Sequence, residues 1–437
     1  MRIACIAPRY GAEIPGGPEL YCRLVAERLS AVHTVEVLTT CARDEATWAN
    51  AYPAGTDRIR GVTVRRFANA ETRDAAAFRA CSERVFGTPH TAQDEELWLR
   101  QHGPWCPALV EHLEQEHRKY DALIFFSCLH APTVLGLRVA PRRSILVPAV
   151  GEHPALGLEL CKEVFGRPAA IAYATAVESG FLRSRFASRA RVEEVIGCGV
   201  DLPPGVDPAQ PDPPDDQADD DAPAVGAVWN GGGHGAGFRR RHRLFGPFAL
   251  TSASVRSGWG CEELIEYFGR YAAQHGDADL ALMGVKLMEV PDEPFIRFAG
   301  TLAESDRLEA FAAATVVLAP APEENISLHV LEAFAAGTPV LANGRSDVLT
   351  HHCQRSNAGL YYADGDEFVE CLRLLMNNAE LRETMGRNGR RYVAEQFSWP
   401  VVLEKYDELI AAVAPRRGGR GGAGRSRGGQ GRPRRGR

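Results

Sequence analysis

Residues 322–339 read Pro-Glu-Glu-Asn-Ile-Ser-Leu-His-Val-Leu-Glu-Ala-Phe-Ala-Ala-Gly-Thr-Pro. Leu328, Leu331 and Phe334 recur at helical spacing, and Gly337 followed by Pro339 is a C-terminal stop. The apolar run 316–320 before them reads as a strand, 321–326 as a loop, and the helix is predicted to begin near Ser327. In that arrangement the backbone N–H groups of Ser327, Leu328 and His329 face the strand ends and offer a place for a diphosphate. Glu324 falls on the loop and Glu332 two turns inside the helix. By spacing alone the stretch reads equally well as an ordinary helix with acids near its start.

The same strand-then-helix rhythm extends in both directions. Before it, 2–7, 34–38, 122–127, 144–150, 169–174 and 192–196 are strand candidates, with a periodic helical segment at 18–29. After a break come 248–253, 280–283, 296–298, 316–319 and 339–342, and a long helical region, 366–414, closes the pattern. Such alternation predicts an α/β chain with parallel sheets covered on both faces. The break, 202–237, is dense in Pro, Asp and Gly and includes Asp-Pro-Pro-Asp-Asp-Gln-Ala-Asp-Asp-Asp at 212–221. It has no means of packing a core and reads as an interdomain linker. Ligands of doubly wound sheets sit beyond the carboxyl ends of the strands, so the loops there carry the functional expectation.

At 437 residues, 45% apolar and 24% charged, the chain suits two globular domains and excludes a disordered chain or a small disulfide scaffold. The most apolar region, 122–140, is interrupted by His130, Pro132 and Arg138, so no membrane span is predicted. Eleven dispersed cysteines without a CxxC pair read as reduced thiols. The chain is accordingly expected to be cytoplasmic, with a peripheral contact to a membrane left open. The net charge of −6 is uneven. Residues 415–437 hold nine arginines and no acid, leaving 41 basic against 56 acidic residues before them. That Arg/Gly-rich tail is expected to be disordered; it reads either as an arm for an anionic partner or as a solvated extension.

Several short elements together carry a family resemblance. Pro8-Arg9-Tyr10-Gly11 with Gly16-Gly17-Pro18-Glu19 forms a glycine loop after the first strand. Gly197-Cys198-Gly199-Val200-Asp201 ends the first half, and Arg355-Ser356-Asn357-Ala358-Gly359-Leu360-Tyr361-Tyr362 makes a late glycine turn. With Glu324 and Glu332 as a Glu-x7-Glu pair, the chain resembles the family 4 retaining glycosyltransferases (glycosyl transferase group 1 type). The resemblance implies the GT-B fold, two facing Rossmann-like doubly wound domains. The expected division is 1–201 as the acceptor-side domain, 202–237 as linker, 238–395 as the nucleotide-sugar domain, 396–414 as a helix returning to the first domain, and 415–437 as tail.

The resemblance also implies roles. A sugar moves from a nucleotide diphosphate sugar to the hydroxyl of an unspecified acceptor, with retention and with neither a metal nor a cofactor. Glu324 contacts the donor sugar, helped by the backbone of Ile326, Ser327 and Leu328, and Glu332 holds the ribose. Gly16 and Gly17 let the first loop approach the donor. Ser327 stands where many members have glycine. Two positions depart from the family. Its diphosphate-binding arginine and lysine fall on Ser254 and Trp259, with Arg256 a candidate substitute, and its His-Asp near the sugar reads Gly151-Glu152-His153, with His153 the candidate catalytic group. The missing cations keep an alternative open, a weakened or inactive GT-B protein that binds a sugar nucleotide or a partner. His351-His352-Cys353 lacks a fourth metal ligand, and Cys128-Leu129-His130 reads as either acceptor cleft or core.

Overall fold

The computed structural model describes residues 1–14, 17–203, 235–252, 257–276 and 278–415. Gly16, Ser254, Arg256, nearly all of the acidic linker and the arginine tail beyond Pro415 lie outside the described residues.

The first half builds an eight-stranded sheet from β1 (Arg2–Ile6), β2 (Thr34–Thr40), β3 (Gly55–Ile59), β4 (Val62–Phe67), β5 (Ala122–Phe126), β6 (Ser144–Val147), β7 (Ala170–Tyr173) and β8 (Val192–Val195). Their order is β3-β4-β2-β1-β5-β6-β7-β8, parallel except for the β3–β4 hairpin. The second half builds a six-stranded sheet from β9 (Phe248–Ser252), β10 (Asp279–Met283), β11 (Ile296–Gly300), β12 (Val316–Ala319), β13 (Val340–Asn343) and β14 (Gly359–Tyr362). It runs β11-β10-β9-β12-β13-β14, all parallel. Strands such as Ala-Leu-Ile-Phe-Phe of β5 are apolar throughout because helices cover both faces. Each sheet accordingly has two apolar clusters, one per face. In each, the chain reverses direction of winding at its first strand, between β1 and β5 and between β9 and β12. Those reversals open a crevice at the strand ends.

The segment expected as one long helical region is three helices, Gly365–Asn377, Ala379–Gln396 and Trp399–Val413. Asn378 ends the first and caps the second by accepting from the Leu381 N–H at 2.9 Å, and Pro400 starts the third where its missing N–H costs nothing. The third helix lies on the first sheet's core through Trp399, Val402, Tyr406 and Leu409, and the Tyr406 hydroxyl donates to Tyr21 at 2.9 Å. The chain leaving the first unit and the chain returning to it run side by side, with Val200 N–H donating to Phe397 O at 2.9 Å. A Cβ on Gly199 would stand 2.4 Å from the Trp399 ring, so the glycine there is a packing requirement. Among the described residues no helix is long and apolar enough to cross a membrane.

Candidate active site

The loop after β12 and the loop after β6 meet across the crevice. A Cβ on Gly151 would come within 2.5 Å of Asn325 Oδ1, so the two loops are in direct contact there. Ile326 and Leu328 reach past their own sheet and pack against the core of the first. Glu324 and the Gly151-Glu152-His153 segment are therefore brought to one place, although they lie far apart in sequence.

Glu324 folds its carboxylate back onto its own loop. Oε1 accepts from the N–H groups of Asn325 at 3.1 Å, Ile326 at 3.4 Å and Ser327 at 3.3 Å. This corrects the expectation that the Ser327 N–H is open to a diphosphate, since a carboxylate already sits on it. The helix also starts one residue later than expected, at Leu328. Ser327 precedes it in the left-handed region, φ 56° and ψ 35°, with Oγ buried and unpartnered. That backbone explains why glycine suits the position. Ser327→Gly is expected to stabilise the protein by about 1 kcal/mol, because relief of the left-handed strain and of the orphaned hydroxyl outweighs glycine's added unfolded-state entropy. A denaturation midpoint raised at constant m-value would show it; a lowered midpoint would mean the hydroxyl is held by something the loop needs.

Glu332 is 7% exposed and accepts a short hydrogen bond from Arg307 Nη2, an arginine on the helix Glu304–Ala313. His329 stands between the two acids. Burial depresses its pKa, and Arg307 adds to that while Glu324 opposes it. The loop 257–260 closes the other side of β12. Gly260, at φ 77°, starts the helix Cys261–His275 so close to β12 that a Cβ would meet Pro320 O at 2.0 Å. Trp259 beside it is 40% exposed. Asn343 at the end of β13 donates to the same Pro320 O at 2.9 Å, and its Oδ1 accepts from Arg345, which also pairs with Glu263. A cation thus does stand at this strand edge, on a different loop from the one expected.

On the first unit, Gly17 (φ 50°) opens the helix Gly17–Leu29. Glu19 in its first turn is buried and accepts from Arg9 Nε at 2.8 Å; burial raises its pKa and Arg9 lowers it. His153 uses Nδ1 to accept the Ala155 N–H at 3.1 Å and sets its ring edge-on to Phe86; burial depresses its pKa. Cys128 is fully buried in the core, which decides that part of its segment for packing. His130 is held by Ser127 Oγ at 2.6 Å and stacks on His102, and burial pushes its pKa down to about 3. His352 bonds Tyr392 at 3.0 Å in a buried position, and no metal-holding group of His, Cys, Asp or Glu occurs among the described residues.

Two residues that the sequence did not single out stand behind this geometry. Arg307 gave no signal, since nothing local relates it to Glu332. Glu178 lay in Thr175-Ala-Val-Glu178, a helix-capping pattern whose Thr175 accepts the Glu178 N–H at 3.0 Å. Its carboxylate is 5% exposed and accepts from Val150 N–H at 2.9 Å and Ala174 N–H at 2.7 Å, pinning the loop that carries Ala149 (φ 48°) and Gly151. Burial pushes its pKa up to about 7, against the lowering effect of these N–H groups. The folded state therefore holds this proton more tightly than the unfolded chain, and stability should fall as pH rises from about 4 to about 7 and level off above. Glu178→Gln is expected to flatten that slope in thermal melts. An unchanged slope would place the titration elsewhere.

Residues 265–407 match a family model described as glycosyl transferase-like. No curated protein matches the chain. Among solved structures, sucrose-phosphate synthase from Thermosynechococcus elongatus is similar at 18% identity and TM-score 0.61, over 94% of this chain and 99% of that one. Anabaena HepE, in complex with UDP and glucose, is similar at 15% identity and TM-score 0.64, over 94% and 100%. WaaG, a glycosyltransferase involved in lipopolysaccharide biosynthesis, is similar at 16% identity and TM-score 0.54, over 93% and 99%. The fold is GT-B, with two Rossmann-like sheets facing across the crevice.

Proposed function

We propose that this GT-B chain, with its glycosyl transferase-like second half, moves a sugar from a nucleotide diphosphate sugar to an acceptor hydroxyl with retention of configuration. The observation that carries the reading is the Glu324 carboxylate, cradled by three N–H groups of its own loop at the contact between the two sheets' strand ends. A carboxylate so fixed is placed to bind sugar hydroxyls as the bond to the diphosphate breaks. Glu332, one helical face further in, takes the ribose, and Arg307 sets its orientation. His153, with Nδ1 engaged and its charge suppressed, serves as a neutral group on the acceptor side. The acceptor oxygen replaces the diphosphate oxygen at the anomeric carbon, and its proton passes to the departing diphosphate. Ile326, Ser327 and Leu328 shape the loop around the sugar, and Gly17 opens the first unit's side of the crevice. Neither metal nor cofactor enters this proposal.

Charge on the leaving diphosphate is the weak point of the site. Trp259 occupies the lysine position, which favours a second reading as a protein that binds a sugar nucleotide without turning it over. Because HepE is described with UDP and glucose, uridine donors are the first to test. Thermal-shift measurements across nucleoside diphosphates and their sugars are expected to show stabilisation by one nucleobase class. No shift with any of them would remove both readings.

A further inference from the structure

We infer that the edge of the first sheet opposite the crevice is a docking surface for an anionic lipid bilayer. Because β5 to β8 are parallel, the residues that precede each of them share one edge. Arg118 lies before β5, Arg142 and Arg143 before β6, and Arg189 and Arg191 before β8. None of the five forms an ion pair with a described residue, whereas Arg138 and Arg183 on the same unit pair with Glu163 and Glu193. Arg143 Nη1 is fixed at the rim by Arg118 O at 3.3 Å and Tyr120 O at 2.9 Å. Arg142, Arg143 and Arg191 line one open hollow of about 780 Å³ together with the end of the helix Trp399–Val413. Residues 409–415 at that helix end contain no acid, and the nine-arginine stretch continues from the same point.

The chemistry recognised is therefore phosphate at high surface density. Screening limits each charge to about 8 Å at physiological salt, so this edge meets a surface on its own terms despite the acidic excess of the remaining chain. A bilayer fits better than a nucleic acid. The exposed aromatic side chains, among them Phe86, Trp259 and Tyr361, lie away from these strand starts, and 409–437 contains no aromatic residue for stacking on bases. With this edge on the bilayer, the strand carboxyl ends and the crevice point to the aqueous side, so the acceptor arrives from solution.

The test is co-sedimentation of the full chain with phosphatidylcholine vesicles with and without phosphatidylglycerol, and a gel-shift comparison with a single-stranded oligonucleotide. Binding is expected only with the anionic lipid and to weaken with salt. The triple variant Arg142→Gln/Arg143→Gln/Arg191→Gln, with the tail intact, is expected to bind about a hundredfold more weakly, at roughly 1 kcal/mol per charge. Arg118→Gln/Arg189→Gln, both exposed, gives a second reading that does not depend on the hollow, and is expected to bind more than tenfold more weakly. Equal binding of either variant and the natural chain, equal binding to neutral vesicles, or tighter binding to the oligonucleotide than to the anionic vesicles would overturn the inference.

Discussion

Replacing Glu324 by alanine is expected to lower sugar transfer on the order of a hundred- to a thousandfold, the usual consequence of removing one fixed electrostatic group from a reacting centre. The same change releases three loop N–H groups. They lie at a half-exposed loop where water replaces the carboxylate, so the loss of stability should stay near about 1 kcal/mol. Glu324→Gln separates the two contributions. Its amide oxygen still accepts from the loop, while the negative charge facing the sugar is gone. Activity lost in both variants with donor affinity kept assigns the charge to the chemical step. Full activity in Glu324→Gln would show that the side chain only shapes the loop.

Glu332→Ala is expected to weaken donor binding and also to destabilise the fold by about 2–3 kcal/mol. The second effect comes from Arg307, which loses its carboxylate while its side chain remains only 28% exposed. A fully buried pair would lose more. Arg307→Ala together with Glu332→Ala should recover much of the stability, because no charge is then stranded, but not the donor affinity. Titration of nucleotide into the single and double variants, alongside chemical denaturation, reads the two effects independently. If the double variant binds nucleotide as the natural chain does, Glu332 is a structural partner of Arg307 and the ribose assignment fails.

The ion pair also shows where sequence reading stops. The β12 strand, its loop and the following helix were legible because leucine spacing and the Gly-x-Pro stop are local signals. The crevice followed from the alternation of strands and helices. The β3–β4 hairpin was missed. β3 reads Gly-Thr-Asp-Arg-Ile, almost wholly exposed, and its turn rests on positive φ at Arg60 and Gly61 rather than on a recognisable turn pair. Glu324 was found as a residue but not as a self-capped loop, because the direction of a side chain depends on the left-handed backbone at Ser327. Arg307 and Arg345 were invisible, since Arg307 meets Glu332 only across the intervening strand β12 and Arg345 meets Glu263 only after four strands, β10 to β13, have been laid down.

Sugar transfer is tested by supplying the purified full chain with UDP-sugars and other nucleotide diphosphate sugars, then measuring nucleoside diphosphate release with simple glycoside acceptors and the anomeric configuration of any product. Release is expected with one donor class and to depend on Glu324, with a product of unchanged configuration. Donors that bind but are never turned over, by the natural chain or by Ser254→Arg/Trp259→Lys, would contradict this expectation and leave a sugar-nucleotide-binding protein.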